Sequence, residues 1–513
     1  MAFQTRLRVK GTGLYVDQMA PALSAPTTPG PAKSAHWAAS RGTRLAGWQG
    51  TAAGPNSIVD EDGELLRARN RDLVRNNGMA RRLASLTTVH VVGTGIVPRW
   101  MVGDAGLRKA IHELFDAWVD VSDADGILGF YGQQALALAE TCIGGEALAR
   151  MRTRLLGDGL PVPLQIQQLP AEQLPLHYGT MNGANRVRQA IERNAIGRRV
   201  AYWMHRQHPG DVPLTSAPDT WLMTRVDAGD ICHLFNQERI GQQRGLPWAA
   251  AAMTTLYNIG DYLDSEQIRK GAVAKAIGVL KRPAPPTMDA EALGAIWGQI
   301  LDKHGGLPAI GVEAGTVQVL DVNEDLEFHQ PADVGGNFDA FLNASYRQVA
   351  AAADLLFEEL TGNWSGANDR TFRAQFATFK RRARQWQWNL LIHQHTAPIV
   401  RRFIDLAVAS GAIRLPRSAT LADLQRVTFV PERWEYLNPK QDVEAQVTEI
   451  ENLLTSRSAI IAGRGDDPEA VDEEIRRDRQ REAGLPPARR VAGTRPSPPP
   501  DPDNDEPQTE PAQ

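Results

Sequence analysis

The chain has 513 residues, of which 42% are hydrophobic and 23% charged. That is ordinary for a soluble globular protein, and the length suits roughly two to four structural units. Fifty-six Lys and Arg against 60 Asp and Glu leave a formal net charge of −4, which excludes a protein that coats nucleic acid through bulk positive charge.

Residues 1–55 are rich in Gly, Ala, Ser, Thr and Pro, with Trp37 and Trp48 scattered among them, and are expected to form an extended arm. Gly11, Gly13, Asp17 and Gln18 interrupt any apolar core of a signal peptide. No apolar run reaches the ~20 residues of a membrane span, so no membrane partner is expected. Residues 65–92 have a helical pattern, with Leu66, Leu73, Met79, Leu83 and Leu86 among arginines. Leu107, Ile111, Leu114, Phe115 and Trp118 then recur at amphipathic-helix spacing. A third helix over 131–143 stops at Gly144-Gly145.

A β-rich region follows. Residues 147–154 alternate, and Gly157-Asp158-Gly159 supplies a hairpin turn before Leu164-Gln165-Ile166. A second hairpin is expected to join 188–193 to 199–205 through residues 194–197, and His208-Pro209-Gly210-Asp211 has turn chemistry. Long helices come next. One is expected from Trp248 to about Val279, carrying Met253, Leu256, Tyr257, Gly260 and Leu263 on one face and Glu266 and Lys270 as an i,i+4 pair. Pro283, Pro285 and Pro286 end it, and a compact segment with strand-like stretches at 315–320 and 326–329 intervenes.

Asn337 offers an N-cap to a helix whose stripe runs from Phe338 through Val349 to Phe357. After the polar loop 361–369, a further helix repeats Phe372, Phe376, Phe379, Ala383, Trp386 and Leu390, with Pro398 expected to kink or end it. Asn438-Pro439-Lys440-Gln441 matches a capping box opening a helix with Val443, Val447, Ile450 and Leu454. From Arg495 the chain is proline-rich and acidic, a composition too poor in apolar surface to order itself. The fold class is α+β, dominated by long helices.

Catalytic signatures are missing. His112-Glu113-Leu114-Phe115-Asp116 lacks the second histidine of H-E-x-x-H and reads as a solvated helix face. The run from Asp321 to Asp325 begins like a calcium loop, but position six is Leu326 and position twelve Ala332. Gly93-Thr94-Gly95 is an incomplete dinucleotide motif, and no triphosphate-binding loop occurs. His393 and His395 lie two apart on a helix and face different ways. Cys142 and Cys232 stand alone in apolar stretches; they read as buried hydrophobes in a reducing compartment. Lys380-Arg381-Arg382-Ala383-Arg384 with Trp386 and Trp388 could neutralise phosphates and stack on bases, but Trp386 falls on the apolar stripe and the basic run suits a solvated or subunit-facing side. No catalytic residue, metal or cofactor is assigned.

Several stretches in order resemble the lambda-type family of phage portal proteins. They are residues 67–77 leading to 91–98; Gly144-Gly145-Glu146; Gly197-Arg198 and Ala201-Tyr202 with His208-Pro209-Gly210-Asp211; His233-Leu234-Phe235, Arg239, Gly241-Gln242-Gln243-Arg244-Gly245 and Pro247-Trp248; and Asn438-Pro439 followed by residues 465–468. The resemblance covers about residues 55 to 485. It marks His208, Pro209, Gly210, Asp211, Arg239, Gly241, Gln242, Arg244, Gly245 and Pro247 as structural motif residues. It departs at residues 363–370, where the family carries a serine-rich stretch before an arginine.

The resemblance implies a portal fold, with a β-rich wing and a small mixed clip, in a homo-oligomeric ring, usually of twelve. The arm is 1–55, the wing 56–247, stem helix 1 248–280, the clip 281–336 and stem helix 2 337–358. A tunnel loop at 359–370 would face DNA through Asn363, Trp364, Ser365 and Asn368. Residues 371–435 form a wing helix and return, 436–490 the crown helices, and 491–513 the acidic tail. Implied partners are double-stranded DNA, the terminase large subunit, the major capsid protein and head–tail connector proteins, at the portal vertex of a virion assembled in host cytoplasm. Two rival readings are another structural or adaptor protein of the virion and a DNA-processing enzyme. The enzyme would need clustered carboxylates or a nucleotide loop, and two long helices around a compact insert favour the portal over the adaptor.

Overall fold

The computed structural model describes residues 6–8, 15–17, 52–211, 223–275, 279–281, 325–327, 338–417, 419–432, 434, 439–463 and 468–483. Within Met1–Gly54, a unit of its own, β1 (Arg6–Arg8) and β2 (Tyr15–Asp17) pair antiparallel. All that follows lies in the second unit, Pro55–Gln513.

The first helical stretch is two helices rather than one. Proline suits a first helical position, and α1 (Pro55–Asn76) starts there, ten residues earlier than periodicity suggested. Asn77 then leaves helical geometry, and its side-chain oxygen accepts from the amides of Met79 and Ala80 at 3.0 and 3.1 Å to cap α2 (Gly78–Val92). The strand β3 (Val97–Trp100), α3 (Ala105–Val119) and α4 (Phe130–Gly144) follow. On α3, Ile111, Phe115 and Trp118 are buried as the spacing predicts. His112 is only partly solvated: it packs edge-on against Trp100, and its Nε2 accepts from the Trp100 amide at 3.4 Å.

Eight strands come next: β4 (Glu146–Thr153), β5 (Leu164–Pro170), β6 (Thr180–Asn182), β7 (Asn185–Arg188), β8 (Ile191–Arg193), β9 (Arg199–His205), β10 (Met223–Asp227) and β11 (Ile231–Phe235). They form two antiparallel sheets, ordered β11-β4-β5 and β10-β9-β8-β7-β6. Both expected hairpins exist, with changes. The β4–β5 connection is ten residues long, and β4 is buried on both faces over its first half instead of alternating. Residues 188–193 belong to two strands, because Gln189 and Ala190 both adopt positive φ and turn the chain between β7 and β8.

The long helix α5 (Met253–Lys275) is shorter than expected, since 248–252 form turns and Val279 belongs to β12 (Val279–Lys281). Leu256 is fully buried but Tyr257 is exposed, so the apolar face is narrower than predicted. Glu266 pairs with Lys270 as expected and more closely with Arg269. β12 pairs antiparallel with β13 (Asp325–Glu327). The stretch 315–320, the calcium-like run at 321–324 and the caps at Asn337 and Asn438 lie outside the described residues.

The helix expected over 337–358 is broken. It consists of α6 (Phe338–Ala352) and the short α7 (Phe357–Thr361), separated where Asp354 adopts φ 55°. The helix after the polar loop is continuous instead: α8 (Asp369–Gln385), a π-helical stretch (Trp386–Thr396) and α9 (Ala397–Ala409) run on as one. Pro398 does not end it, because the wider turns already carry the Ala397 amide to the carbonyl of Ile392 before the proline arrives. The chain closes with α10 (Leu421–Leu424), β14 (Val427–Val430) pairing with β3, then α11 (Pro439–Glu451), α12 (Arg457–Gly463) and α13 (Pro468–Ala483). The α11 stripe is amphipathic as predicted, yet Val443 and Val447 remain exposed and Leu454 lies beyond the helix.

Three cores result. The first joins α2, α4, α5 and α6 to the middle of the long helix. The second stacks α3 and α9 on β4 and β5 around Phe115, Trp118, Phe130 and Phe403, whose rings meet at 5.1–5.8 Å. The third lies between the two sheets. Among the described residues no helix is long and apolar enough to cross a membrane.

Candidate functional site

The family-like motifs converge on one buried carboxylate. Gly145 takes the left-handed conformation (φ 91°) after α4 and turns the chain directly into β4, so Glu146 enters the strand at its first position and is fully buried. A buried carboxylate is costly unless paired and hydrogen-bonded, and four neighbours supply that. Arg244 donates from Nε at 2.8 Å to each carboxylate oxygen and from Nη2 at 2.5 Å; Arg67 Nη2 donates at 3.0 Å. His233 Nε2 donates at 2.9 Å and the Gly245 amide at 3.2 Å.

The surroundings hold these donors in place. Arg244 also donates to the carbonyls of Gln189 and Leu174 at 3.0 and 2.8 Å, and Arg67 Nε to that of Gly144 at 2.8 Å. Gln242 accepts from the amides of Glu238 and Arg239 and donates to the Arg244 carbonyl, folding 238–244 into a tight loop. Gly245 allows the closest crossing: a Cβ there would lie 2.0 Å from the Gly145 carbonyl oxygen. Beyond Pro247, the Trp248 amide reaches the Cys142 carbonyl at 3.2 Å and leads toward α5.

A second ionic layer lies outside. Arg71 binds both Glu140 and Glu172, and the turn at 208–211 sits beside it. There the Asp211 amide closes on the His208 carbonyl at 3.1 Å, the Gly210 amide donates to His208 Nδ1 at 3.0 Å, and His208 Nε2 lies 3.9 Å from Glu172. Pro209 lines a cavity of about 460 Å³ with Arg67, Arg71 and Glu172. Of the motif residues expected from sequence, Gly241, Gln242, Arg244, Gly245 and Pro247 are thus on one segment around the carboxylate. Arg239 is tied to it by its amide, and the 208–211 turn joins through Glu172 and Arg71. Arg67, Glu146 and His233 lay within quoted motifs but were not singled out.

Burial pushes the Glu146 carboxyl up, but Arg244 and the hydrogen bond from His233 outweigh it and hold it well below the usual range. Burial takes His233 down to about 4 despite Glu146, leaving a neutral ring whose Nε2–H donates. Burial alone takes His395 to about 4 and pushes the Cys232 thiol up to about 12 and the Cys142 thiol upward as well. A saturated carboxylate, a neutral imidazole and two inert thiols can clamp segments together, but offer no free nucleophile or base. Among the described residues, no three His, Cys, Asp or Glu side chains cluster as metal ligands. His393 is exposed while His395 is buried, so the two face different ways.

The second candidate is the loop between α7 and α8. Gly362 ends α7 in the left-handed conformation (φ 72°). Asn363 Oδ1 accepts from the Ser365 amide and hydroxyl at 3.1 and 2.6 Å, the Ala367 amide closes on the Trp364 carbonyl, and Asn368 caps α8 by accepting from the Arg370 amide at 3.0 Å. Trp364 is half-exposed and rests edge-on against Phe372. The side-chain oxygens of Asn363 and Asn368 therefore shape the loop from within. Trp386 is core, and Trp388 of the basic stretch is exposed.

Neither the buried carboxylate nor the loop between α7 and α8 presents catalytic machinery among the described residues; both are structural arrangements. The model of the phage portal protein, lambda family, matches residues 41–387. The chain belongs to the lambda family of phage portal proteins, and is accordingly a head–tail connector subunit of a virion, from a structural rather than an enzymatic family. It is 26% identical over 459 residues to a probable portal protein of Halomonas phage phiHAP-1, covering 86% of this chain and 85% of that one. It is 21% identical over 462 residues to portal protein B of Escherichia phage lambda, covering 82% and 84%. Among solved structures it is similar to a chain from the neck of a native gene transfer agent particle, at 15% identity and TM-score 0.44, covering 83% of this chain and 98% of that one. It is also similar to an HK97-family phage portal protein from Corynebacterium diphtheriae, at 11% identity and TM-score 0.29, covering 60% and 84%.

Glu146→Gln leaves Arg67 and Arg244 buried without a counter-charge, so a loss of about 3–5 kcal/mol is expected, visible as a lower urea midpoint. An unchanged midpoint would remove the carboxylate from its structural role. Stability should also fall with acidification. His233 and His395 have folded pKa values below their unfolded one, so from pH 6.5 down to about 4 the unfolded chain binds protons that the folded chain refuses. The buried His395 alone contributes roughly 3 kcal/mol across that window. His395→Gln should flatten the decline in melting temperature measured between pH 7 and 4; an unaltered slope refutes the assignment.

Proposed function

We propose that the chain stands with about eleven others in a closed ring at a capsid vertex, and that DNA passes through the hole during packaging and ejection. The observation that carries this reading is the pair of helices around a small insert. β12 and β13 pair directly, and Tyr262 of α5 lies against Phe338 and Phe341 of α6 at 5.9 and 5.4 Å. At 1.5 Å per residue α5 is about 35 Å long, enough for a channel wall. Tyr257 and Ile268 on α5 and Phe341 on α6 remain exposed, which suits helices that stand against a neighbouring subunit.

On this reading α5 and α6 are the stem, residues 281–336 the clip, 56–247 with the long helix the wing, and the helices after 436 the crown. The clip takes the terminase large subunit, which supplies the energy of packaging. The wing meets the major capsid protein, and connector proteins join below. Assembly takes place in the host cytoplasm. The loop at 363–368 faces the bore. Duplex DNA carries one charge per ~1.7 Å, so a strongly basic lining would hold it in place. Trp364 braced on Phe372, with small polar neighbours, presents a firm surface that touches without gripping.

Imaging of the purified protein should show rings of about a dozen subunits with a central hole; a compact monomer would overturn the proposal. Trp364→Ala removes the brace and should lower genome packaging or retention severalfold in an in vivo complementation assay, with Asn363→Ala weaker. Unchanged packaging and retention in both would take the loop out of the mechanism while leaving the ring intact.

A further inference from the structure

One cavity outside the carboxylate node and the loop carries concentrated positive charge. It has a volume of about 310 Å³ and lies between the two sheets, opened by Arg150 and Arg152 of β4, Gln167 of β5, Arg206 after β9 and Thr224 of β10. Among the described residues no Asp or Glu lines it. Its floor is apolar, with Met204 and Val226 almost fully buried. Two of the guanidiniums are aimed by neutral partners: Arg152 Nε donates to Gln167 at 2.7 Å and Arg206 Nε to Thr224 at 3.2 Å. The Arg150 guanidinium makes no hydrogen bond or ion pair among the described residues. Burial and the fields of Arg150 and Arg154 pull Arg152 downward and outweigh the upward pull of Asp125. Three cations that make no ion pair among the described residues, in a chain of net charge −4, are arranged for an anion to complete.

The shape selects among anions. Guanidinium forks match carboxylates and phosphates. A duplex is far too wide for this cavity, and among the described lining residues the ring is that of His205, with no Phe, Tyr or Trp face on which single-stranded bases would stack. An apolar floor with amide and hydroxyl walls suits an extended peptide carrying carboxylates. The sequence contains such a peptide: from Pro498 to Gln513 it has Asp501, Asp503, Asp505, Glu506 and Glu510, six prolines and no Lys or Arg. Proline favours the extended form and lowers the entropy lost on docking.

Reach is sufficient. α13 begins beside α3, where Glu469 pairs with Arg108, and α3 packs on the other face of the sheet that carries Arg150 and Arg152. The eighteen residues from Gly484 to Asp501 span up to about 60 Å when extended.

We propose that the Arg150–Arg152–Arg206 cavity binds the acidic, proline-rich segment 498–513, in the same chain or a neighbouring copy. The test uses the full chain with Thr224→p-benzoylphenylalanine, irradiated and mapped by mass spectrometry. Cross-links to residues 498–513 are expected. Their yield should fall about tenfold or more in an added Arg150→Glu/Arg206→Glu pair, because charge-assisted bonds to the carboxylates are lost, while the melting temperature stays unchanged. Mixing heavy- and light-isotope chains before assembly separates same-chain from neighbouring-copy links. Cross-links to DNA or to other segments, or a yield unaffected by charge reversal, would overturn the proposal. Either result leaves the ring reading untouched.

Discussion

A single buried carboxylate holds the β-rich body of this protein together. Glu146 has no solvent to share its charge with, so its stability is set by how completely the protein replaces that solvent. The replacement comes from α1 through Arg67, from β11 through His233, and from the 238–245 loop through Arg244 and the Gly245 amide. Those elements cannot shift independently. Moving any of them strips a hydrogen bond from an ion in a low-dielectric interior, where the loss is far larger than at the surface. The close backbone crossing at Gly145 and Gly245 follows from the same demand, because only there does an amide come near enough to finish the ion's shell.

That constraint explains what was legible in the sequence. Local signals read well. The spacing of Ile111, Phe115 and Trp118 placed α3, and Gly144-Gly145 placed the end of α4, because helical period and left-handed turns are properties of a few consecutive residues. The motif residues from Gly241 to Pro247 were recognisable as a group for the same reason. Their purpose was not, since Arg67, His233 and Arg244 lie 79, 87 and 98 residues from Glu146. The available signal was a lone glutamate between two glycines and a nearly all-buried strand, a place where an unpaired charge could not survive.

The helix errors have separate causes. Asn77-Gly78 is a cap signal inside an apolar period that continues across it, so periodicity alone hid the break. Nothing in the run of alanines before Asp354 announces positive φ. That break is held from outside, by Arg382 of α8 at 2.7 Å from Asp354. Pro398 misled in the opposite direction. A helix ends at proline when the lost hydrogen bond and the ring clash are unrelieved, but eleven residues of π-helix loosen the turns just before it and let the axis run on. On α11, the spacing of Val443 and Val447 showed an apolar stripe correctly and could not show what covers it.

Charge placement links these features to a channel subunit. The chain has nearly balanced charges, 56 basic against 60 acidic, and many of its guanidiniums are paired, some in the interior and some at the surface. Arg67 and Arg244 are spent on Glu146, Arg71 on Glu140 and Glu172, Arg225 on Glu192 and Asp227, Arg382 on Asp354 and Arg402 on Asp230. A paired cation contributes little to the long-range field that attracts phosphate. Paired in this way, these arginines tie the body together and add little to its long-range positive field. The buried pairs on Glu146 supply the rigidity, while the part-exposed pairs of Arg225, Arg382 and Arg402 cancel charge at the surface.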